Sequence, residues 1–168
     1  MANLEFRKLC DSEFDQAYAI ICDAVVWLLS KNIRQWTVPL PREVFLARQR
    51  NGWNYALTYD GVLAVILSLL KEASPHWRDQ TGPAECWWLS TVTTASDFRG
   101  QGLGRHAIQE AKAHLCSIGA ETIYLDCVPG DGFLPKYYES LNFEFLAHKT
   151  IEYPTGLFDM VLMSCSLK

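Results

Sequence analysis

The sequence has no Cys-x-x-Cys pair among its six cysteines, and no metal-ligand spacing joins Cys10, Cys22, Cys86, Cys116, Cys127 or Cys165 to the four histidines. That excludes the zinc-ribbon and dithiol redox classes and leaves the cysteines as buried thiols in a reducing compartment. Positive charge is not in surplus. Fifteen Lys and Arg against nineteen Asp and Glu leave a formal charge of −4, which disfavours a partner as anionic as a nucleic acid. Long apolar runs are missing too: the longest, Val62 to Leu70, is about half of what crosses a bilayer and is broken by Ser68. Met1 to Cys10 carries Glu5, Arg7 and Lys8 and lacks the apolar heart of a signal peptide, so a cytoplasmic protein without a membrane partner is expected. Repeats, low-complexity tracts and linkers are absent as well. What is present is 168 residues, 49% of them hydrophobic and 20% charged, enough to bury one core and too apolar for a disordered chain.

Periodicity places the elements. A short strand is expected near Leu4 to Leu9. Apolar residues then recur three and four apart from Phe14 to Leu29, the stripe of a helix that Asp11 or Ser12 can cap. Lys31 to Pro41, with Trp36, Pro39 and Pro41, follows no period; it is long enough to suspect a functional loop before a short helix from Pro41. Tyr55 to Tyr59 and Val62 to Leu70 flank Asp60-Gly61, a hairpin signal, because that dipeptide accepts two positive φ angles. Lys71 to Glu85 reads as a loop and Cys86 to Thr94 as a strand. A helix is expected from Gly102 to a cap at Gly119, a strand over Thr122 to Val128, a helix over Gly132 to Leu141, and a closing hairpin around Pro154-Thr155-Gly156. The expectation is a single α/β (α+β) domain over residues 1–168, with a mixed sheet of about seven strands and about four flanking helices.

Arg99-Gly100-Gln101-Gly102-Leu103-Gly104-Arg105 lies between a strand and the first turn of a helix. There several backbone N–H groups have no intrahelical partner, and the helix dipole favours an anion. Alternating glycines clear Cβ atoms from the approach, and Arg99 and Arg105 add charge, so the segment is expected to cradle a phosphate. A Walker loop is excluded, since no Gly-Lys-Ser or Gly-Lys-Thr follows. Gly102 to Ala107 formally fits G-x-G-x-x-A, but Ser96-Asp97-Phe98-Arg99 separates the glycines from the strand and too few parallel strands remain for a dinucleotide fold.

The same run resembles the Gln/Arg-x-x-Gly-x-Gly/Ala signature of the GNAT superfamily of N-acetyltransferases. Tyr137-Tyr138-Glu139-Ser140-Leu141-Asn142-Phe143 resembles the Tyr-Glu-x-x-Gly-Phe that ends that family's core. Leu125-Asp126-Cys127, Trp27-Leu28-Leu29 and Gln35-Trp36 are similar to patterns of small bacterial members. The resemblance implies a GNAT-like sheet splayed between its fourth and fifth strands, with acetyl-coenzyme A as cofactor. The diphosphate would lie on the amides of Gln101 to Gly104, and the pantetheine arm beside Val92, Thr93 and Thr94, where a bulge near Thr93 would free backbone groups. Asp131, in the place of a frequent Asn, is expected to contact the cofactor as well; Ser96 stands where many members have Pro, and Asn142 where they have Gly.

Moving an acetyl group from a thioester to an amine needs a neutral amine, a polarised carbonyl and a proton for the leaving sulfur. By its match to the family tyrosine, Tyr138 is expected to donate that proton. Glu85 and Asp126 are the candidate bases, and Ser90 could align a water. Trp36 and either Trp87 or Trp88 would line the acceptor site, with Trp88 the expected one. Cys127 as an acetylated nucleophile is the less favoured route. The expected function is direct acetyl transfer to a primary amine of a small molecule or peptide, with a catalytically silent acyl-coenzyme A sensor as the alternative. A homodimer is compatible with the sequence, and no metal site is expected.

Overall fold

The computed structural model describes residues 3–81 and 86–168. In chain order the elements are β1 (Leu4–Lys8), α1 (Phe14–Ser30), α2 (Arg42–Arg50), β2 (Asn54–Tyr59), β3 (Val62–Leu70), β4 (Cys86–Thr94), α3 (Leu103–Ser117), β5 (Thr122–Cys127), α4 (Phe133–Glu139), β6 (Glu144–Tyr153) and β7 (Gly156–Ser166). The strands form one sheet in the order β1-β2-β3-β4-β5-β7-β6. Every neighbouring pair is antiparallel except β4 with β5.

The local chemistry explains most boundaries. Asp60 and Gly61 take φ angles of +49° and +80°, the two-residue turn expected between β2 and β3. The start of α1 differs from expectation: neither Asp11 nor Ser12 caps it. A short 3-10 turn over Asp11–Glu13 precedes it, and the Glu13 carboxylate reaches back to the Cys10 N–H at 3.0 Å. Arg7 donates to both Glu13 oxygens at 2.8 Å, which pulls that carboxyl down to about 2. The fourth helix is shorter than Gly132 to Leu141, and its Pro135 falls in the first turn, where an N–H would have no partner anyway.

Two different layers cover the sheet. On one face α3 and α4 bury Leu57, Leu67, Leu89, Ile123 and Leu125 in the larger core. On the other, α1 and α2 pack Phe14, Ile21 and Phe45 onto Ala56, Leu63 and Ile66, while Trp77, from a 3-10 turn over Pro75–Trp77, covers Trp88 and Tyr124. Between those two patches the second face is open, and the site lies there.

Two irregularities make the opening. Ser90 pairs with Ser68 and Thr93 with Ile66, so Thr91 and Val92 together oppose Leu67 alone; Thr91 takes φ +57°. This is a β-bulge on Thr91 and Val92, next to Thr93, near which one is expected. In addition, β4 and β5 pair only from Cys86↔Thr122 to Trp88↔Tyr124. Beyond that rung the two parallel strands diverge toward their C-terminal ends, as expected of the fourth and fifth strands, and their facing backbone groups are released. No helix among the described residues is long and apolar enough to cross a membrane.

Candidate active site

The glycine segment enters α3 as a row of free donors. Among the described residues, no backbone N–H from Gly100 through Arg105 finds a hydrogen-bond partner; the first to do so is that of His106, on the Gly102 carbonyl at 3.1 Å. Gly100 and Gly102 take φ of +77° and +76°, and a Cβ on either would project into open space. Gly104 differs. It is helical, and a Cβ there would come within 3.3 Å of Thr94 Oγ1 and 3.6 Å of Tyr137 Oη, so its bareness lets α3 approach β4. Arg99 lies over the Trp27 ring and bonds Asp23 at 2.6 Å, while Arg105 bonds the Ser140 hydroxyl at 2.7 Å. Both line the cavity in front of the amides. Gln101 turns back to the Asp97 carbonyl at 2.9 Å, and Leu103 is buried in the core, so these two offer backbone only.

That cavity, about 450 Å³, runs from Gly100, Gly102 and Gly104 past Val92, Thr93 and Thr94 to Trp36. Donors along one end and freed strand edges along its length suit an extended ligand with an anionic end and amide groups in its arm. Asp131 stands outside it. Its carboxylate accepts from the Phe133 N–H at 3.0 Å, capping the turn before α4, and lines a neighbouring groove.

The two adjacent tyrosines divide, as helix geometry requires. Tyr137 lines the cavity. Tyr138 is 8% exposed, packs edge-on to Phe143 at 5.8 Å, and is held above the ordinary phenol range by burial and by Cys127, Tyr137 and Asp126 nearby. It therefore stays protonated at neutral pH. Among the described residues no hydrogen bond acts on its hydroxyl, and, unlike Tyr137, Tyr138 does not line the cavity.

Asp126 occupies β5 two residues past the last β4–β5 rung, and Ser90 occupies β4 two residues past the same rung. Both therefore share the face of the stacked Trp88 and Tyr124 rings and flank the mouth of the fork. Trp77 donates its indole N–H to Asp126 Oδ2 at 2.8 Å. Burial pushes the Asp126 carboxyl above the usual range, opposed by that hydrogen bond and by His76. A second cavity of about 240 Å³ joins Asp126 to Trp36, Tyr153 and Met160. Trp36 lines this cavity, the first one, and a third of about 410 Å³ that reaches Ser90 and Thr91. Trp88 stands apart: 4% exposed and stacked on Tyr124, it lines none of these spaces. Glu85 lies outside the described residues.

The family model described as the acetyltransferase (GNAT) family matches residues 23–143. The chain belongs to the GNAT acetyltransferase family. It is 25% identical over 147 residues to the uncharacterized N-acetyltransferase YesJ of Bacillus subtilis (strain 168), covering 82% of this chain and 81% of that one. Among solved structures it is similar to a GNAT-family acetyltransferase from Listeria monocytogenes 4b F2365, with a TM-score of 0.82 and 19% identity over 97% of this chain and 94% of that one. It is also similar to yncA from Salmonella typhimurium, solved with its cofactor acetyl-CoA, at 0.72 and 16% over 99% and 95%. The ribosomal-protein-S18-alanine N-acetyltransferase of Escherichia coli superposes at 0.73 and 19% over 99% and 95%.

Within the GNAT frame, the departure at Asn142 has a physical reason. Asn142 takes φ +64°, its N–H bonds the Glu139 carbonyl at 2.9 Å, and the Phe143 N–H bonds the Tyr138 carbonyl at 3.1 Å. That is a Schellman stop, in which asparagine replaces glycine with little strain. The signature thus works as a helix terminator that locks the Tyr138 ring against Phe143. Periodicity had no means to find two further residues of the site. Trp77 is an aromatic in a segment that reads as loop, and Tyr153 is the last residue before a turn. For Trp77 the one available signal was a large apolar side chain in a polar stretch.

Proposed function

We propose that the chain transfers the acetyl group of acetyl-coenzyme A directly to a primary amine of a small molecule or peptide. The observation that carries this reading is the run of unpaired amides from Gly100 to Arg105 opening into a fork between parallel strands. Those amides, flanked by Arg99 and Arg105, would hold the diphosphate, and the freed backbone groups of Val92, Thr93 and Thr94 would hold the amides of the arm. The bound cofactor supplies an activated acetyl thioester.

The chain's own residues divide the proton work. An alkylamine is mostly protonated at neutral pH and must lose a proton before it attacks. Asp126 Oδ1, the oxygen Trp77 leaves free, receives that proton; burial raises the basicity of this carboxylate and so suits it to the task. Tyr138, protonated throughout the neutral range, would donate a hydrogen bond to the leaving sulfur. A free thiol is more acidic than this phenol, so the tyrosine stabilises charge without surrendering its proton permanently. Cys127 is 1% exposed and pushed up to about 12 by burial and by Asp126, far too little thiolate for a covalent acetyl carrier. This supports direct transfer.

Purified protein, acetyl-coenzyme A and an amine panel, with free thiol monitored, test this. Amine-dependent thiol release is expected. Tight coenzyme A binding without release across a broad panel would replace it with the sensor reading.

A further inference from the structure

Among the described residues Arg48 is a cation without a counter-charge. It reaches from α2 to β4, where its Nη1 donates to Thr91 Oγ1 at 2.8 Å and to Ser90 Oγ at 3.3 Å. Among the described residues no carboxylate pairs with it, and burial alone acts on it, pulling the guanidinium down to about 10. A partly buried cation left uncompensated beside a cavity is costly unless something anionic meets it.

The hydroxyls in front of it cannot supply that charge, but they can pass its influence on. Ser90 Oγ and Thr91 Oγ1 both accept from Arg48 and lie 3.1 Å from each other. One of the two hydroxyl protons is used between them, and the other remains free. Both residues line the cavity that also holds Trp36 and Tyr153. The patch therefore presents a donor backed by positive charge, on the β4 side of a fork whose β5 side carries Asp126. One wall suits an amine and the other an acid.

Building on the transferase reading, we propose that the acceptor is an amino-acid-like amine whose carboxylate docks at the Arg48–Ser90–Thr91 patch while its amine faces Asp126. Arg48 is then a specificity residue. Its structural alternative is a brace for the bulge at Thr91.

The test compares free amino acids with their matched carboxamides as acceptors, in wild type and in Arg48→Met. In wild type the acid should exceed its amide in kcat/KM by about tenfold or more, the worth of one charge-assisted contact, through KM and not kcat. Arg48→Met should bring that ratio close to one. Equal use of acid and amide by wild type, or a variant that slows both alike, overturns the proposal in favour of a brace. Should Arg48→Met not fold, as read by thermal unfolding, Ser90→Ala should reduce the same ratio, and an unchanged ratio counts against the proposal. A separate arm works without turnover: an N-acetylated amino acid and its amide are titrated into coenzyme A-loaded protein by calorimetry. Tighter binding of the acid, lost in the variant, is expected, and equal binding refutes it. Absence of any acetylation with this difference preserved would remove the transferase reading and leave the anion site; acetylation without the difference would do the reverse.

Discussion

The two halves of the fork are built by opposite means. The half in front of α3 is made of consecutive backbone, Gly100 through Arg105, whose donors are free because a helix begins there. The half beyond Trp36 is made of single side chains from separate elements: Arg48 on α2, Ser90 on β4, Asp126 on β5, Tyr153 at the end of β6, and Trp77 from a 3-10 turn. A backbone cradle tolerates change in most side chains and recognises a group every ligand of its class carries. A side-chain cleft can be altered residue by residue. The first half therefore suits a cofactor, and the second, on the proposed reading, an acceptor.

The sharpest break in that comparison would come from Gly102. With φ +76° the position accepts Asp or Asn with modest strain. Gly102→Asp would place a carboxylate among the free amides, where it would cap α3 and occupy the donors itself. Losing two or more charge-assisted bonds, each about 1.5–3 kcal/mol, should weaken coenzyme A binding by at least about a hundredfold in calorimetry, with the melting temperature held. Gly102→Asn, uncharged, should lose distinctly less. Equal affinities for wild type and the Asp variant would mean that the anion does not sit there.

Tyr138→Phe comes next and separates chemistry from binding at the junction of the halves. It removes a donor and keeps the ring against Phe143. We expect kcat to fall on the order of a hundredfold while coenzyme A affinity stays within about twofold. A matching loss of affinity would reassign the hydroxyl to cofactor holding.

How far each half could be read from the sequence follows from this difference. Contiguous features were legible: the Asp60-Gly61 turn, the α1 stripe, and the glycine row with its arginines each sit within one window of the chain. Gly104 was legible as a glycine but not in its role, because only the approach of Thr94 and Tyr137 shows that it serves packing. Alternation left Trp87 and Trp88 equivalent, and it took the pairing with Tyr124 and the cover of Trp77 to bury Trp88. The bulge, expected near Thr93, could be placed on Thr91 and Val92 only with the pairing known, since a bulge is a property of two strands and appears in neither alone. Arg48 was invisible for the same reason: its partners lie more than forty residues away.

A pH profile sharpens the side-chain half. Burial raises the Asp126 carboxyl, and the Trp77 N–H partly offsets this. As a base it must be ionised, so kcat/KM should fall as pH drops through its raised pKa. Trp77→Phe removes the offset, and the acidic limb should move to higher pH. The linkage has the opposite sense for stability. A carboxyl raised in the folded state contributes most below its unfolded pKa, and that contribution is lost as pH rises through the folded value. An acidic limb that stays in place in Trp77→Phe would exclude Asp126 as the base.

The smallest effect belongs to Gly104, and its smallness is the point. If every glycine of the row served the cradle, Gly104→Ala would cost affinity as Gly102 variants do. The position is helical, however, and its Cβ would point at Thr94 Oγ1 at 3.3 Å and not at the free amides. Alanine gains about 1 kcal/mol of helix propensity over glycine, against a squeeze that a rotation of the Thr94 side chain can relieve. Coenzyme A affinity should change by no more than about threefold and the melting temperature by only a few degrees. A loss as large as that of Gly102→Asp would show that the bareness of Gly104 serves the anion and not only the packing of α3 on β4.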